Sequence, residues 1–469
     1  MQVSTAARKA AGVEAALVAM ATDLNLGLLP SMGFQAPANA GPNELLIAIR
    51  ARDEPALTAA LAGVDAALTT RPAQGGSAAT RPPRTTMAAL RASGPGLALV
   101  SVPGRFAFAE AMDALEAGCD VMIFSDNMPV EQEIVLKDLA ARRDLVVMGP
   151  DCGTAIIGGV GLGFANAVEA GPIGIVAASG TGAQQVLCLL DWAGAGVSAV
   201  IGVGGRDLSA EVGGRSARSA LTALDHDRST ELILVVSKPP APLVARALRD
   251  FAATLATPVH FAIVASGEPD LTAAAEMALH AAGREVPEWP HWPGAPAAHR
   301  PGVLRGLFAG GTLCDEAMVI ASAVLGPVQS NIPLRPQWRL GPRAAATGHA
   351  MIDFGDDQLT LGRAHPMIDQ TLRLERLAAE AADPATAVIL MDVVLGFGAH
   401  PDPVAELAPG IAAARAHHDV LVVVSLIGAA SDPQDLSRQA RGLQAAGAHV
   451  YASNATAARF ACQAIAAAR

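Results

Sequence analysis

The sequence predicts an α/β protein built on parallel sheets, with a small α+β module ahead of them. Three observations carry this. From Gly96 onward, short apolar runs alternate with helix-favouring stretches. Three of those runs end in a glycine turn that leads straight into a helical stretch. The composition is 51% hydrophobic but only 3% aromatic, so sizeable cores must be packed from Ala, Val, Leu and Ile. A chain of 469 residues has the length for about three domains.

Residues 1–70 read as helix, strand, short helix, strand, helix. The pattern is helical over 3–9, extended over Gly12–Met20, helical over Asn25–Leu29, extended over Asn43–Arg50 and helical over Glu54–Leu61. This order suits a regulatory or interface module, and it contains no catalytic arrangement. A polar, Gly/Pro-rich link from Thr69 to Thr86 is expected to be mobile. Then strands Leu97–Val102, Asp120–Phe124 and Leu145–Met148 alternate with helices Phe106–Ala117 and Glu131–Arg142. Such alternation places ligands at the carboxyl ends of the strands, so Ser125–Pro129 and Gly149–Gly153 fall on the functional rim. A central unit over 171–282 has strands Ile173–Ala178, Ala199–Val203, Leu232–Val236 and Val259–Val264. A proline-rich linker spans 287–301. The last unit, Leu304–Arg469, adds strands at Leu307–Ala309, Val388–Val393, Val420–Leu426 and His449–Tyr451.

The three glycine turns carry the chemistry. In the first, the strand ending at Ala178 turns through Ser179-Gly180-Thr181-Gly182 into a helix from Ala183 to Leu190. A helix N-terminus exposes unpaired N–H groups and the positive end of its dipole, which suits an anion. The plainer alternative is an ordinary loop with Ser179 or Thr181 as N-cap. The second turn, Gly396-Phe397-Gly398-Ala399-His400, follows the run Ala387–Val394 and precedes a helix from Val404 to Arg415, which Pro409-Gly410 should kink or interrupt. The third and weakest copy is Gly306–Leu313, leading into a helix from Cys314 to Leu325. Together they point to a nucleotide- or phosphate-handling protein without naming a reaction.

Bulk properties narrow the class. A net charge of −11 lacks the basic footprint of a nucleic-acid binder. Five scattered cysteines (Cys119, Cys152, Cys188, Cys314, Cys462) with no CxxC pair fit a reducing cytoplasm better than a disulfide framework or a zinc site. No apolar run approaches ~20 residues, so no membrane span is expected. Arg8-Lys9 before an apolar patch is a poor signal peptide, because Glu14 interrupts the patch and no cleavage site follows.

The block Leu99–Gly104, Ile123–Pro129 and Met148–Gly153, followed by Gly174–Val186, resembles the α subunit of succinyl-CoA synthetase. Met351–Asp357, His365–Ala382 and Ala387–Ile411 resemble the carboxyl domain of that enzyme's β subunit. The whole fusion is identified as a member of the FdrA family of acyl-CoA-synthetase-like proteins. The resemblance implies four segments: the α+β module (1–70), a Rossmann-like CoA-binding-type domain (86–168), and two flavodoxin-like synthetase-type domains (169–286 and 302–469). It implies that Ser179–Gly182 and Gly396–His400 face each other across one phosphate, each helix N-terminus contributing on the order of 0.3–2 kcal/mol.

The departures are as informative. The chain lacks an ATP-grasp domain and the glycine-rich turn that opens the CoA domain. Ala265-Ser266-Gly267-Glu268-Pro269 stands where the phosphohistidine loop belongs, with no histidine. Lys238 stands near the position of the glutamate that orients the phosphohistidine, and a cation suits a bound anion. CoA is therefore disfavoured as a cofactor, no metal is expected, and inorganic phosphate is expected as a substrate. What the resemblance implies is a subunit of an oxamate carbamoyltransferase in purine-nitrogen salvage, taking oxalurate and phosphate to oxamate and carbamoyl phosphate, with partner subunits and self-association. Two other readings stand beside it: an acid–CoA ligase that borrows an ATP-grasp subunit, and a non-catalytic ligand-binding scaffold.

Candidate residues follow. Lys238 and His400 are the catalytic candidates. Ser179, Gly180, Thr181, Gly182, Gly396, Phe397, Gly398 and Ala399 form the phosphate cradle. Asn127, Cys152, Arg206 and His349 are further substrate contacts, with Arg206, Arg105 and Arg363 as candidates for the substrate carboxylate. Each has a plainer alternative: a structural histidine for His400, an interface residue for His349, a half-buried loop cysteine for Cys152. Asp392 either orients a donor or caps a turn. His417-His418 reads as a solvated helix end, and Asp356-Asp357 as a turn before a strand at Leu359 rather than a metal site.

Overall fold

The computed structural model describes residues 7, 10–30, 32–37, 39–41, 44–69, 83–94, 96–296, 300–341, 346–360, 363–418 and 420–468. Most of the 3–9 helical pattern and of the 69–86 link lies outside the described residues, as do the side chains of His417 and His418. The chain forms two units, residues 1–82 with 356–365, and residues 83–355 with 366–469.

In the first unit, β1 (Val13–Met20) pairs antiparallel with β2 (Leu45–Ala51). Helix α1 (Asp23–Leu28) follows β1, and α2 (Glu54–Thr69) follows β2, burying Ala56, Ala60 and Val64. Asp53 starts α2 by accepting from Ala56 N at 2.9 Å. The strand expected at Leu359 is instead a helical turn, Asp357–Thr360. Asp356 accepts the first backbone N–H groups there, so local capping outweighs the β-favouring neighbours.

Among the described residues, the second unit has three sheets. The first is β3 (Leu97–Val100), β4 (Asp120–Ile123) and β5 (Val147–Met148), all parallel. Helix α3 (Thr86–Ser93) precedes it, and α4 (Gly104–Glu116) and α5 (Val130–Arg142) connect its strands.

The central sheet contains β6 (Thr154–Ile157), β7 (Val160–Gly163), β8 (Ala170–Ala177), β9 (Val197–Gly202), β10 (Leu232–Ser237) and β11 (Val259–Ile263), in the order β11-β10-β8-β9-β6-β7. The β6–β7 hairpin extends it antiparallel at one edge, so the central layer begins at Thr154, ahead of the boundary at 169. Glycines at 158 and 159, both at positive φ, make this hairpin. Its helices are α6 (Gly180–Trp192), α7 (Arg215–His226), α8 (Pro242–Ala252) and α9 (Leu271–Ala281).

The last sheet contains β12 (His291–Trp292), β13 (Val303–Phe308), β14 (Ala350–Asp353), β15 (Thr386–Val394), β16 (Leu421–Ile427) and β17 (His449–Tyr451), in the order β12-β17-β16-β15-β13-β14. Its helices are α10 (Gly311–Leu325), α11 (Thr371–Ala382), α12 (Pro403–His418), α13 (Leu436–Ala445) and α14 (Asn454–Ala466). Helix α12 continues through Pro409, so of the kink or interruption expected there the interruption does not occur.

Taken in chain order, the parallel strands of the last sheet run 2-1-3-4-5 and those of the central sheet 2-1-3-4, the flavodoxin-like order. One apolar cluster joins both sheets through α6, α9, α10 and α14, with Val186, Leu187, Leu279, Leu313, Ala317, Ala458 and Ile465 all buried. The switch point of each sheet, where the order reverses, therefore lies at the start of a helix in this shared core. Among the described residues no helix is long and apolar enough to cross a membrane.

Candidate anion site between two helix N-termini

Strand β8 delivers the chain to Ser179, which is extended and N-caps α6. Ser179 Oγ accepts from Gly182 N at 3.0 Å and donates to Thr312 Oγ1 at 2.6 Å. The N–H groups of Gly180 and Thr181 sit in the first turn, where no intrahelical acceptor exists. Across from them, β13 delivers Gly310-Gly311-Thr312. Ala309 N and Gly310 N donate to the two carboxylate oxygens of Asp392, each at 2.7 Å. No side chain caps α10, which begins at Gly311.

The two turns touch. A Cβ on Gly310 would lie 2.9 Å from Thr181 side-chain atoms, and one on Gly182 would lie 3.0 Å from Thr312 Cγ2. Only glycine permits this approach. The starts of α6 and α10 are therefore in direct contact.

Charged groups border it. Lys238 follows β10, at the same switch point as Ser179. Its Nζ pairs with Asp315 Oδ2 at 2.9 Å, and its side chain stays 42% exposed while that of Asp315 is 12% exposed. Asp353 ends β14; its Oδ1 accepts from Gly355 N at 2.8 Å. Its Oδ2 lies 2.6 Å, and Lys238 Nζ 3.3 Å, from the point where a Cβ on Gly311 would stand. A cation, a carboxylate and a helix N-terminus therefore meet at one residue. Burial opposes the Lys238 ammonium, but Asp315 and Asp353 outweigh it and raise its pKa. Burial raises the Asp315 carboxyl, with Lys238 opposing. Behind the turn, Asp392 is fully buried and paired with Arg373 Nη2 at 3.1 Å; burial raises the carboxyl and lowers the guanidinium. Asp392 thus fixes the turn that leads into α10.

The structure brings Ser179, Gly180, Thr181, Gly182 and Lys238 together, but it corrects the partner turn. The N–H groups of Gly396, Phe397 and His400 are taken within the protein rather than held open to a phosphate. Phe397 N donates to Ala165 O at 2.7 Å, Gly396 N to Gln434 Oε1 at 3.1 Å, and His400 N to Met367 O at 2.8 Å. A Cβ on Gly398 would lie 2.8 Å from Gly163 O. The segment after β7 fills this turn, and Gln439 accepts from Val404 N near the start of α12 at 3.0 Å. Ala399 packs against the shared core. His400 Nε2 lies 3.4 Å from Glu406, whose hydrogen bond raises the imidazole pKa.

Other candidates are placed elsewhere. Cys152 is buried, and burial pushes its thiol up to about 12, so it stays protonated. His349 is buried and its Nδ1 accepts from Leu304 N at 3.0 Å, tying β14 to β13. Arg206 Nη2 bonds Glu133 Oε2 at 3.0 Å and Met128 O at 2.8 Å. It extends a buried network in which Lys137 Nζ holds Glu133, Asp207 and Val203 O, tying the first layer to the central one. Asn127 is an exposed turn residue at φ 55° in the first layer. Arg105 is exposed and stacks on Phe106, and Arg363 donates to Asn25 within the first unit. Gly310, Gly311 and Thr312 were read as the weakest glycine turn but left out of the candidate set, and Asp315 and Asp353 were missed. The third glycine turn was the available signal for the first three; Asp315 had none beyond its place one turn into α10.

Three comparisons bear on this. Residues 307–464 match a family described as CoA-ligase, and residues 1–83 one described as AllF, heavy metal-associated domain. The Aquifex aeolicus (strain VF5) succinate–CoA ligase [ADP-forming] subunit alpha is 29% identical over 33% of this chain and 51% of its own length. A solved structure, the Ca. Korarchaeum cryptofilum dinucleotide-forming acetyl-coenzyme A synthetase 1 in complex with phosphate and ADP, aligns over 80% of this chain and 83% of that chain at 15% identity, with a TM-score of 0.29. Residues 307–464 are thus a domain of the CoA-ligase type. The Escherichia coli (strain K12) protein YahF is 40% identical over 97% of this chain and 93% of its own length. The chain belongs to YahF's family, the FdrA-like proteins.

A heavy metal does not fit the N-terminal module of this chain. Residues 1–83 contain no cysteine and no histidine, the first of each being Cys119 and His226. Thiolate or imidazole ligation there has no donors.

Proposed function

We propose that the chain is the phosphate-handling subunit of an oxamate carbamoyltransferase, working with partner subunits. The observation that supports this best is the meeting of the α6 and α10 N-termini beside Lys238. The FdrA resemblance supplies the substrates. Hydrogen phosphate attacks the carbamoyl carbon of oxalurate, an O–C bond forms and the C–N bond breaks. The phosphate proton ends on the oxamate nitrogen, giving carbamoyl phosphate and oxamate. Helix N–H groups and the Lys238 ammonium hold the phosphate and spread the charge that grows as the carbamoyl carbon is attacked. No step calls for CoA.

The test is phosphorolysis or arsenolysis of oxalurate by the purified chain, alone and with the products of neighbouring genes, with CoA omitted. The expected result is turnover that requires phosphate and falls at least about tenfold in Lys238→Ala. Absence of turnover with every partner, together with saturable CoA binding by calorimetry, would overturn the reading in favour of a ligase that borrows an ATP-grasp subunit. The CoA-ligase match over 307–464 is what keeps that second reading in view.

A further inference from the structure

A cavity of about 420 Å³ opens at the carboxyl end of β11. That volume lies in the range of small-molecule sites. Residues 264–270, which connect β11 to α9, form one wall. The outer side of α10 forms the second, and α14 the third. The last sheet makes the matching connection, from β17 to α14, with residues 452–453 alone. The two connections also differ in the buried side chain that reaches their far end. Gln185 meets Asn454 N after the short one, and Glu316 meets Leu271 N after the long one. The longer connection and the carboxylate thus occur together, and both line the cavity.

The lining is apolar with an excess of negative charge. Val319, Ile320 and Val324 supply the α10 wall, and Val324 is left 54% exposed. Burial pushes the Cys462 thiol up to about 12, so it lies in the wall as a neutral group. Asp270 pairs with Arg459 and caps α9 through Ala273 N at 2.9 Å, so those two charges cancel. Lys238 and Asp315, one residue before Glu316 on α10, cancel in the same way. Glu268 is exposed on the long connection and, among the described residues, has no ion-pair partner. Glu316 is 1% exposed and accepts from Leu271 N and Asn454 Nδ2. Burial raises its pKa to about 7, so it is charged at pH 8. Two carboxylates are therefore left without a cation.

We propose that this cavity binds an organic cation, an ammonium or guanidinium group carried on an aliphatic stem. The stem covers Val319, Ile320 and Val324, and the head pairs with Glu268 in the field of Glu316. The site is separate from the one assigned to the carbamoyl-transfer reaction. Oxalurate and phosphate are anions and would meet uncompensated carboxylates here.

The experiment is calorimetric titration of the full-length chain at pH 8 and constant ionic strength with three probes of one length: n-hexylammonium, n-hexanol and hexanoate. Hexylammonium is expected to bind, hexanol about tenfold more weakly, and hexanoate more weakly still. Glu268→Gln should weaken hexylammonium about tenfold, and Ala323→Trp, which fills the cavity, should abolish its binding. Both positions are exposed, so neither change should unfold the protein. Between pH 8 and about pH 5.5 the wild type should lose affinity about threefold or more as Glu316 is protonated, and Glu316→Gln should show no such loss. Hexanol binding as tightly as hexylammonium would overturn the inference. So would full affinity in Ala323→Trp, or no hexylammonium binding up to about 10 mM. None of these outcomes bears on oxalurate turnover, so the two readings stand or fall apart.

Discussion

The central and last sheets use one plan with different chemistry. In each, the first strand ends in a glycine turn and a helix starts there. The sixth residue of that helix reaches across to the first N–H of the other half's final helix. Gln185 Oε1 accepts from Asn454 N at 2.8 Å, and Glu316 Oε1 accepts from Leu271 N at 2.7 Å. Hydroxyl pairs lie between the halves: Ser179 with Thr312 at 2.6 Å, and Thr272 with Ser453 at 2.7 Å. The differences lie in charge. The central sheet offers a cap hydroxyl and a half-exposed cation, Lys238. The last sheet offers an uncapped glycine turn backed by buried carboxylates. A neutral amide at position 185 supplies its own donor to Ala452 O. The carboxylate at 316 cannot, and takes a donor from Asn454 Nδ2 at 2.7 Å. Repetition of a fold thus preserves where bonds are needed, while the residue that makes each bond sets its pH response.

The largest break in this comparison should come from the buried side. Asp392→Ala leaves Arg373 buried without its carboxylate and the Ala309 and Gly310 N–H groups without acceptors. Denaturant unfolding should show a loss of about 3–5 kcal/mol. Lys238→Ala, just past the matching strand of the central sheet, should cost less, about 1–2 kcal/mol, since Lys238 itself is half-exposed and only Asp315 loses its partner. Similar losses in the two would refute the asymmetry.

The carboxylate at 316 gives the next effect. Burial pushes its pKa from 4.5 up to about 7, against the bonds from Asn454 and Leu271. A raised folded pKa means the stability it contributes is fully present below the unfolded value and is lost as pH rises through the folded one. The window is therefore pH 4.5 to about 7, and the change across it is on the order of 3 kcal/mol. Wild type should lose stability over that window relative to Glu316→Gln, measured by denaturant midpoints at each pH. Parallel pH curves for the two proteins would show that Glu316 does not titrate there.

Most of the fold was legible because its strands are continuous apolar runs separated by glycine turns, the pattern of a parallel sheet covered on both faces. The β6–β7 hairpin and β14 were not. Thr154–Gly163 is short and glycine-rich, and Ala350–Asp353 spans only four residues, so neither stands out by periodicity. Half of the site was legible for the same reason. Ser179–Gly182 has hydroxyls beside its glycines, and Lys238 stood out as a charge where a carboxylate was expected. The partner turn was misassigned because Gly396-Phe397-Gly398 has the stronger glycine signature. Its glycines serve instead a positive-φ bend, at 110° and 77°, against the 163–166 segment. Sequence shows that glycine is needed, not whether a ligand or another strand is what comes close.

The smallest effect separates the two N-termini themselves. Gly311→Ala would place a methyl carbon 2.6 Å from Asp353 Oδ2 and 3.3 Å from Lys238 Nζ, within the proposed cradle. Gly180→Ala would meet Thr154 Oγ1 at 3.3 Å, outside it. Both positions begin a helix, where alanine itself is well tolerated, so neither change should unfold the protein. Phosphate affinity measured by calorimetry should fall about tenfold or more in Gly311→Ala, about 1.4 kcal/mol, and less than about threefold in Gly180→Ala. Circular dichroism melts should show both folded. Equal losses would mean that the anion sits midway between the helices and that the carboxylate-lined half does not set its position. A larger loss in Gly180→Ala would move the site toward the Ser179 turn and away from Asp353, because a methyl can block only the side on which the ligand rests.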